Sequence, residues 1–131
     1  MTQNSRILEL FAGYGLTHDC NHYIPWYSGI ELKPWALWNG MLKVPYFWED
    51  DLAFTRQDRF DLDELVNLNG VKVFDFHPIH IHLNTEHPER YESSREVHRD
   101  YQRSKELRFK GEGTRDHLIS LLQLNKPNLD F

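Results

Sequence analysis

Two short apolar runs end in side chains able to move protons. Pro45-Tyr46-Phe47-Trp48 leads into Glu49-Asp50-Asp51, and Val71 to Phe76 leads into His77-Pro78-Ile79-His80-Ile81-His82. Adjacent carboxylates repel, which raises the pKa of some members and suits them to acid–base work or to cations. An imidazole gains and loses its proton near neutral pH, so histidines at a strand end are natural proton donors or acceptors. If the second strand continued, His80 and His82 would share a face, a spacing that also suits two ligands of one metal. The bland alternatives are a solvated acidic turn and a set of hydrogen-bonded imidazoles finishing a strand.

Three further groups carry weaker signals. His18-Asp19-Cys20-Asn21-His22 has the H-x-x-x-H spacing of a helical zinc pair, but Gly15, Asn21 and Pro25 do not favour a helix and no Glu follows the first His. Gly111-x-Gly113-Thr114 precedes a helix and reads more simply as a turn than as an anion cradle. Tyr23, Trp26, Tyr27, Trp35 and Trp38 could line a carbohydrate cleft, although large aromatics in a small protein are more often core.

The elements that must position these groups follow from local spacing. Asn4 or Ser5 caps a helix whose Ile7, Leu10, Phe11 and Tyr14 fall at i, i+3, i+4 and i+7, the pattern of a core-seeking face. Residues 16–40 form a long, aromatic, proline-punctuated loop. Met41 to Trp48 reads as a buried strand, irregular or at a sheet edge because of Pro45. Asp61 caps a helix from Leu62 to Leu68, with Glu64 completing a capping box and Gly70 closing it. Val71 to Phe76 is a second strand, residues 91–107 one charged surface helix, and Thr114 caps a last helix from Leu118 to Leu124. Helices alternating with apolar strands predict an α/β fold with a parallel sheet. Two or three strands cannot cover both faces of such a sheet, so the chain should pair with another copy or belong to a larger α/β domain.

Composition narrows the class. The chain has 131 residues with 40% hydrophobic and 14% aromatic side chains, enough apolar surface for a core. Seven acids against Arg56 and Arg59 between Glu49 and Glu64 account for the net charge of -5, while Glu86 to His117 holds eight bases and eight acids. No basic face follows from that pattern, so nucleic acid is not an expected partner. A lone cysteine, Cys20, excludes an internal disulfide, and no run approaches the length of a membrane span. A cytoplasmic protein that does not enter membranes is the expectation.

The segments GLTHDCNHYIP, NGMLKVPYFWEDD, VFDFHPIHIHLNTEHPERY and GEGTRDHLISLL together resemble the C-terminal half of a polysaccharide deacetylase-like (NodB-homology) protein of the WbmS-like group, associated with surface polysaccharide synthesis. The resemblance runs from Ile7 to Leu124, and the WEDD and FHPIH blocks are its most specific pieces. It implies a single incomplete domain over 1–131, a partial (β/α) barrel forming the C-terminal half of a deacetylase-type distorted barrel. It also implies metal-dependent removal of acetyl groups from sugars, an amide C–N hydrolysis when the acetyl is on nitrogen. FHPIH resembles the late histidine motif, which makes His77 the first choice and His80 the second for the general acid. YFWEDD resembles the Trp and Asp block that walls the site and tunes its catalytic groups, which points to Trp48, Asp50 and Asp51; Trp48, Tyr46 and Trp38 are the residues expected to meet the carbohydrate substrate.

The family's early motifs, paired Asp and an H-S/T-x-x-H helix, are expected upstream of Met1. Asp19 stands where that motif wants Ser or Thr, so His18 and His22 do not replace it. The divalent metal, zinc or similar, expected for a complete member would then not be held securely by this chain, which alone should be inactive or very weak, with the missing N-terminal half or a second copy as partner. Two rivals are a non-catalytic carbohydrate-binding or interaction module and a small metal protein using His77, His80 and His82.

Overall fold

The structure, a computed structural model, describes residues 4–124. They form a mixed α/β fold with two small, unclosed sheets, of three and two strands. By internal packing the chain divides into two compact units, the first from residues up to 48 with 66–74, the second from 49–65 with residues from 75 onward.

The first unit opens with α1 (Ser5–Gly13), capped as expected: the Asn4 side chain accepts the Arg6 N–H at 2.8 Å. Its orientation differs from the expectation. Leu8 is the buried residue, whereas Ile7, Leu10, Phe11 and Tyr14, the periodic apolar stripe, are 40–81% exposed. The expected strand from Met41 to Trp48 is interrupted at Pro45, which has no N–H for a ladder. Its two ends are β3 (Leu42–Lys43) and β4 (Trp48–Glu49). β3 lies between β1 (His18–Asp19), parallel to it, and β2 (Trp35–Ala36), antiparallel to it. The sheet is thus mixed, not wholly parallel, and two of its strands come from the segment read as loop. Lys43 is 2% exposed and reaches Asp19 Oδ2 at 2.7 Å and Asn21 O at 3.0 Å. Pairing and hydrogen bonding of that kind let a charge be buried.

Strand β5 (Phe74–Asp75) is shorter than the expected Val71 to Phe76 and pairs with β4. Helix α2 (Asp50–Arg56) follows β4 directly. In α3 (Leu62–Asn67) the Asp61 side chain accepts the Glu64 N–H, the capping bond read from the sequence. After β5 the chain does not continue extended. Pro78 occupies the first position of α4 (Pro78–Leu83), where its fixed φ and missing N–H cost nothing. The surface helix expected over 91–107 is two helices, α5 (Pro88–Ser94) and α6 (Tyr101–Glu106), joined by a 3-10 turn, because Asp100 recaps the chain by accepting the Gln102 and Arg103 N–H groups. The last helix, α7 (Thr114–Leu124), starts four residues earlier than Leu118.

Candidate active site

Asp50 is the first residue of α2 and is 1% exposed; His77 precedes α4 and keeps 39% of its side chain exposed. Both belong to the second unit. Asp50 Oδ2 accepts the His77 backbone N–H at 2.8 Å, and Oδ1 accepts the Asp51 N–H at 2.8 Å. Both oxygens therefore already act as acceptors toward main-chain donors. Oδ1 also lies 2.6 Å from His77 Nδ1, and a carboxylate accepting from Nδ1–H is the arrangement consistent with all three contacts. The imidazole is thereby fixed in one tautomer, leaving Nε2 as the atom that binds or releases a proton; its nearest carboxylate, Glu49 Oε1, is 4.0 Å away.

Electrostatics favour the protonated imidazole. Burial opposes charge on His77, but the Asp50 hydrogen bond and charge, helped by Asp51 and Asp75, outweigh it and raise the pKa above 6.5. Asp50 is itself lifted above its ordinary 3.8 by burial, with the His77 contacts and the Asp51 N–H pulling the other way.

His80 has a different environment. Its ring packs edgewise on Phe54, His77 and Tyr91, and Nδ1 meets Thr85 Oγ1 at 3.2 Å. Burial, followed by the neighbouring His77 charge, drives its pKa down to about 4, so it is neutral at pH 7. Because α4 is a helix, His82 points away from His80, its Nε2 2.9 Å from Ser104 Oγ. This corrects the expectation of a shared strand face, and with it a metal triad of His77, His80 and His82. Asp51, Phe54, His77, His80, Tyr91 and Glu92 contribute to the wall of a cavity of about 320 Å³. Phe54 lies at i+3 from Asp51, and Tyr91 at i+3 from Pro88, another wall residue, so each helix presents one face.

Phe54, Tyr91 and Glu92 were not singled out from the sequence; the i, i+3 spacing after Asp51 and after Pro88 was the available signal. Trp48 is 3% exposed and packs against Phe74, Tyr46 is half-buried against Tyr23, and Trp38 is 61% exposed. All three lie in the first unit. His18 and His22 lie on extended chain, not a helix, His18 bonded to Thr17 Oγ1. Gly113 donates its N–H to Asp116 Oδ2, and the Thr114 hydroxyl donates to Thr85 O, so this glycine turn closes on protein groups.

Two Ser–His contacts could be mistaken for nucleophile pairs. Ser94 Oγ sits 2.8 Å from His98 Nε2, and Ser104 Oγ meets His82. Each hydroxyl donates to the carbonyl three residues back, Tyr91 O and Tyr101 O, and each serine is 1% exposed. A hydroxyl whose proton is committed to the main chain accepts from the imidazole, and these contacts hold helices together.

Two groups among the described residues bring potential metal ligands together: Asp50, His77 and His80; and Glu49, Asp75 and His77. The first does not suit an ion, since Asp50 has both oxygens and His77 has Nδ1 committed to each other and to main-chain N–H groups. The second offers one imidazole nitrogen and two carboxylates, an acceptable donor type, but would consume His77 Nε2, the atom through which the dyad exchanges its proton. A metal there and a proton donor at His77 exclude each other. Among the described residues no helix is long and apolar enough to cross a membrane.

Comparison with known proteins places this chain in a family. A family model described as WbmS-like polysaccharide deacetylase matches residues 1–95. A crystal structure from Bordetella bronchiseptica, of a protein described as a polysaccharide deacetylase involved in O-antigen biosynthesis, is similar at 42% identity and a TM-score of 0.82. The match covers 95% of this chain and 52% of that one, so the chain spans about half the length of that relative. No curated protein matches. Deacetylases of this family point to metal use, and among the described residues the second group, Glu49, Asp75 and His77, is the candidate ligand set whose atoms are not already committed to one another. With most of its length matched by the family model, the chain belongs to the WbmS-like polysaccharide deacetylases.

Proposed function

We propose that this chain supplies the proton-handling half of a carbohydrate deacetylase acting on acetylated sugars in surface polysaccharide synthesis. The observation that carries the reading is the 2.6 Å contact between Asp50 Oδ1 and His77 Nδ1, which leaves Nε2 as a single oriented proton carrier. A water adds its oxygen to the acetyl carbon and gives up its protons to solvent, and as the bond between that carbon and the leaving nitrogen or oxygen breaks, His77 Nε2–H gives its proton to the leaving atom. Acetate is the other product, and the imidazole recovers its proton from solvent. Asp50 holds the tautomer and stabilises the imidazolium. A bound divalent metal would activate that water and polarise the acetyl carbonyl, with Glu49 and Asp75 as the carboxylates placed to help hold it. His77 is assigned here to the proton and not to the ion.

Similarity to the Bordetella deacetylase supports reading the two small sheets as part of a single incomplete domain, a partial (β/α) barrel. The exposed free thiol of Cys20 is compatible with a reducing, cytoplasmic setting.

The test is acetate release from N-acetylated amino-sugar oligomers with zinc present. It is run on the chain alone and with the remaining half of the Bordetella relative added in trans. His77→Gln should lower release by about 10²- to 10⁴-fold, with zinc uptake unchanged. Equal loss of zinc uptake would move His77 from proton donor to metal ligand. No release in either arrangement would leave the non-catalytic carbohydrate-binding reading in its place.

A further inference from the structure

Between Glu86 and His117 bases and acids balance in number but not in position. Three arginines are half-buried among the described residues: Arg90, Arg108 and Arg115. Arg90 is answered by a carboxylate, since its Nε and Nη2 both donate to Glu86. Arg108 and Arg115 have no ion pair among the described residues. Arg108 donates from Nε to His82 O at 2.7 Å, and Arg115 is fastened through its backbone N–H, which Asn84 Oδ1 accepts at 2.9 Å. A guanidinium drawn partly out of water without a counter-charge is costly, and buried arginines are as a rule paired.

Those two bonds gather the cations at one place. His82 lies in the last turn of α4 and Asn84 ends it, so both arginines lie beside His82. Lys105 comes from α6: its Nζ is 5.9 Å from the centre of the Tyr101 ring, which is 5.3 Å from that of His82. Burial first, and then the charges of Arg108, Arg115, His98 and Lys105, hold the His82 pKa below 6.5. Neighbouring carboxylates are engaged elsewhere. Asp116 accepts from Asn84 Nδ2 and the Gly113 N–H, and Glu112 faces His117 at 3.7 Å. The carbonyl end of α4 draws cations, but a helix end carries only roughly half an elementary charge, too little to balance three. The family model matches residues 1–95, so Lys105, Arg108 and Arg115 all lie beyond it. The missing counter-charge is therefore one that a ligand brings.

We propose that Lys105, Arg108 and Arg115, gathered around His82, form a binding site for a diphosphate ester. Two guanidinium groups and an ammonium call for more than one anionic group, and planar guanidinium forks pair with phosphate oxygens through parallel bonds. A single carboxylate would leave charge over. Tyr101, exposed beside Lys105, offers a face to the group that the diphosphate carries. The site lies away from the dyad, since His82 points away from His80 along α4. It concerns how a ligand is held and does not rest on the deacetylase reading.

Inorganic pyrophosphate is the first probe, titrated into the purified chain at about 0.15 M ionic strength while the His82 ring resonances are followed by NMR. Pyrophosphate should shift them saturably and bind at least about tenfold more tightly than sulfate. Arg108→Gln and Arg115→Gln should each weaken it at least about fivefold, with circular dichroism compared to the parent. Arg103→Gln makes the same charge change at an exposed position of α6 and should leave binding unaltered. Arg115 uses no side-chain bond in the fold, so its variant decides the matter even where Arg108→Gln does not fold. Two further arms separate the sources of such an ester. Saturable binding of uridine diphosphate assigns a nucleotide; binding only to phosphatidylcholine vesicles that carry farnesyl diphosphate assigns a lipid. No saturable shift with pyrophosphate, equal affinities for pyrophosphate and sulfate, or equal losses in Arg103→Gln and Arg115→Gln overturns the proposal. Acetate release is a separate readout: Arg115→Gln should leave it unchanged, and its absence from the parent chain removes the deacetylase reading without touching pyrophosphate binding.

Discussion

Asp50 and His77 are 27 residues apart and act as one group, so a change at either should be legible at the other. Asp50→Asn removes the charge that offsets burial at His77, and the imidazole pKa should fall from its raised value toward or below 6.5. The midpoint of the His77 ring-proton shift against pH measures this directly. For a general acid the sign is fixed: kcat/KM declines as pH rises through the imidazole pKa, and Asp50→Asn should move that decline to lower pH. His80 titrates in the opposite sense. Its folded pKa of about 4 lies below the unfolded 6.5, so the unfolded chain binds more protons between those values. Stability should be intact above pH 6.5 and fall on acidification toward 4, by at most about 3 kcal/mol from this residue. Urea midpoints at pH 7 and pH 4.5, compared between the parent and a neutral His80 variant, report it. Both residues could be picked from the sequence because imidazoles and carboxylates accumulate at the ends of apolar runs. Their meeting at one site followed from the family resemblance alone, since no local spacing links positions 50 and 77, and the alternation in HPIHIH imitates a strand although Pro78 was the available sign of a helix start.

At the scale of elements, what escaped the sequence is the set of side chains that fasten one loop to another. Asn84 ends α4 in the left-handed region, at φ 52°, and its Nδ2 lies within 3.2 Å of Phe109 O, Gly111 O and Asp116 Oδ2, while Oδ1 accepts the Arg115 N–H. Asn84→Ala therefore strands several polar groups at once and should cost about 2–4 kcal/mol in chemical denaturation. Gly113 faces the same residue. A Cβ there would collide with the Asn84 carbonyl, so Gly113→Ala should destabilise by about 1–3 kcal/mol although it looks like an ordinary turn glycine. Caps, by contrast, were legible: Asn4 and Asp61 act through neighbours two and three residues away, which is why a window of a few residues reveals them. The break between α5 and α6 was missed although Asp100 is itself a cap, because charged side chains on both sides keep helical propensity high.

Across the molecule, sequence periodicity located α1 but not the direction of its apolar stripe, since a moment gives a face and not what lies against it. Leu8 is 8% exposed and its carbonyl accepts from Asn39 Nδ2, whereas Leu10 is 54% exposed. Leu8→Ala should cost about 2–4 kcal/mol and Leu10→Ala under about 0.5, a contrast that equilibrium unfolding of the two variants resolves. The fold class was legible for the same reason α1 was, from short apolar runs alternating with capped helices. The mixed sheet was not, because β1 and β2 are two-residue strands, too short for a period, and each pairs with β3 across a stretch of loop.

The outward stripe of Ile7, Leu10, Phe11 and Tyr14 has a practical consequence for how this protein behaves in the tube. Environment-sensitive dyes such as ANS should fluoresce on the native chain before any heating, and a charge at Leu10 should dim that signal without lowering the melting temperature. Dye-reported melting curves would then start from a bright baseline, and tryptophan emission would be the more faithful reporter of unfolding.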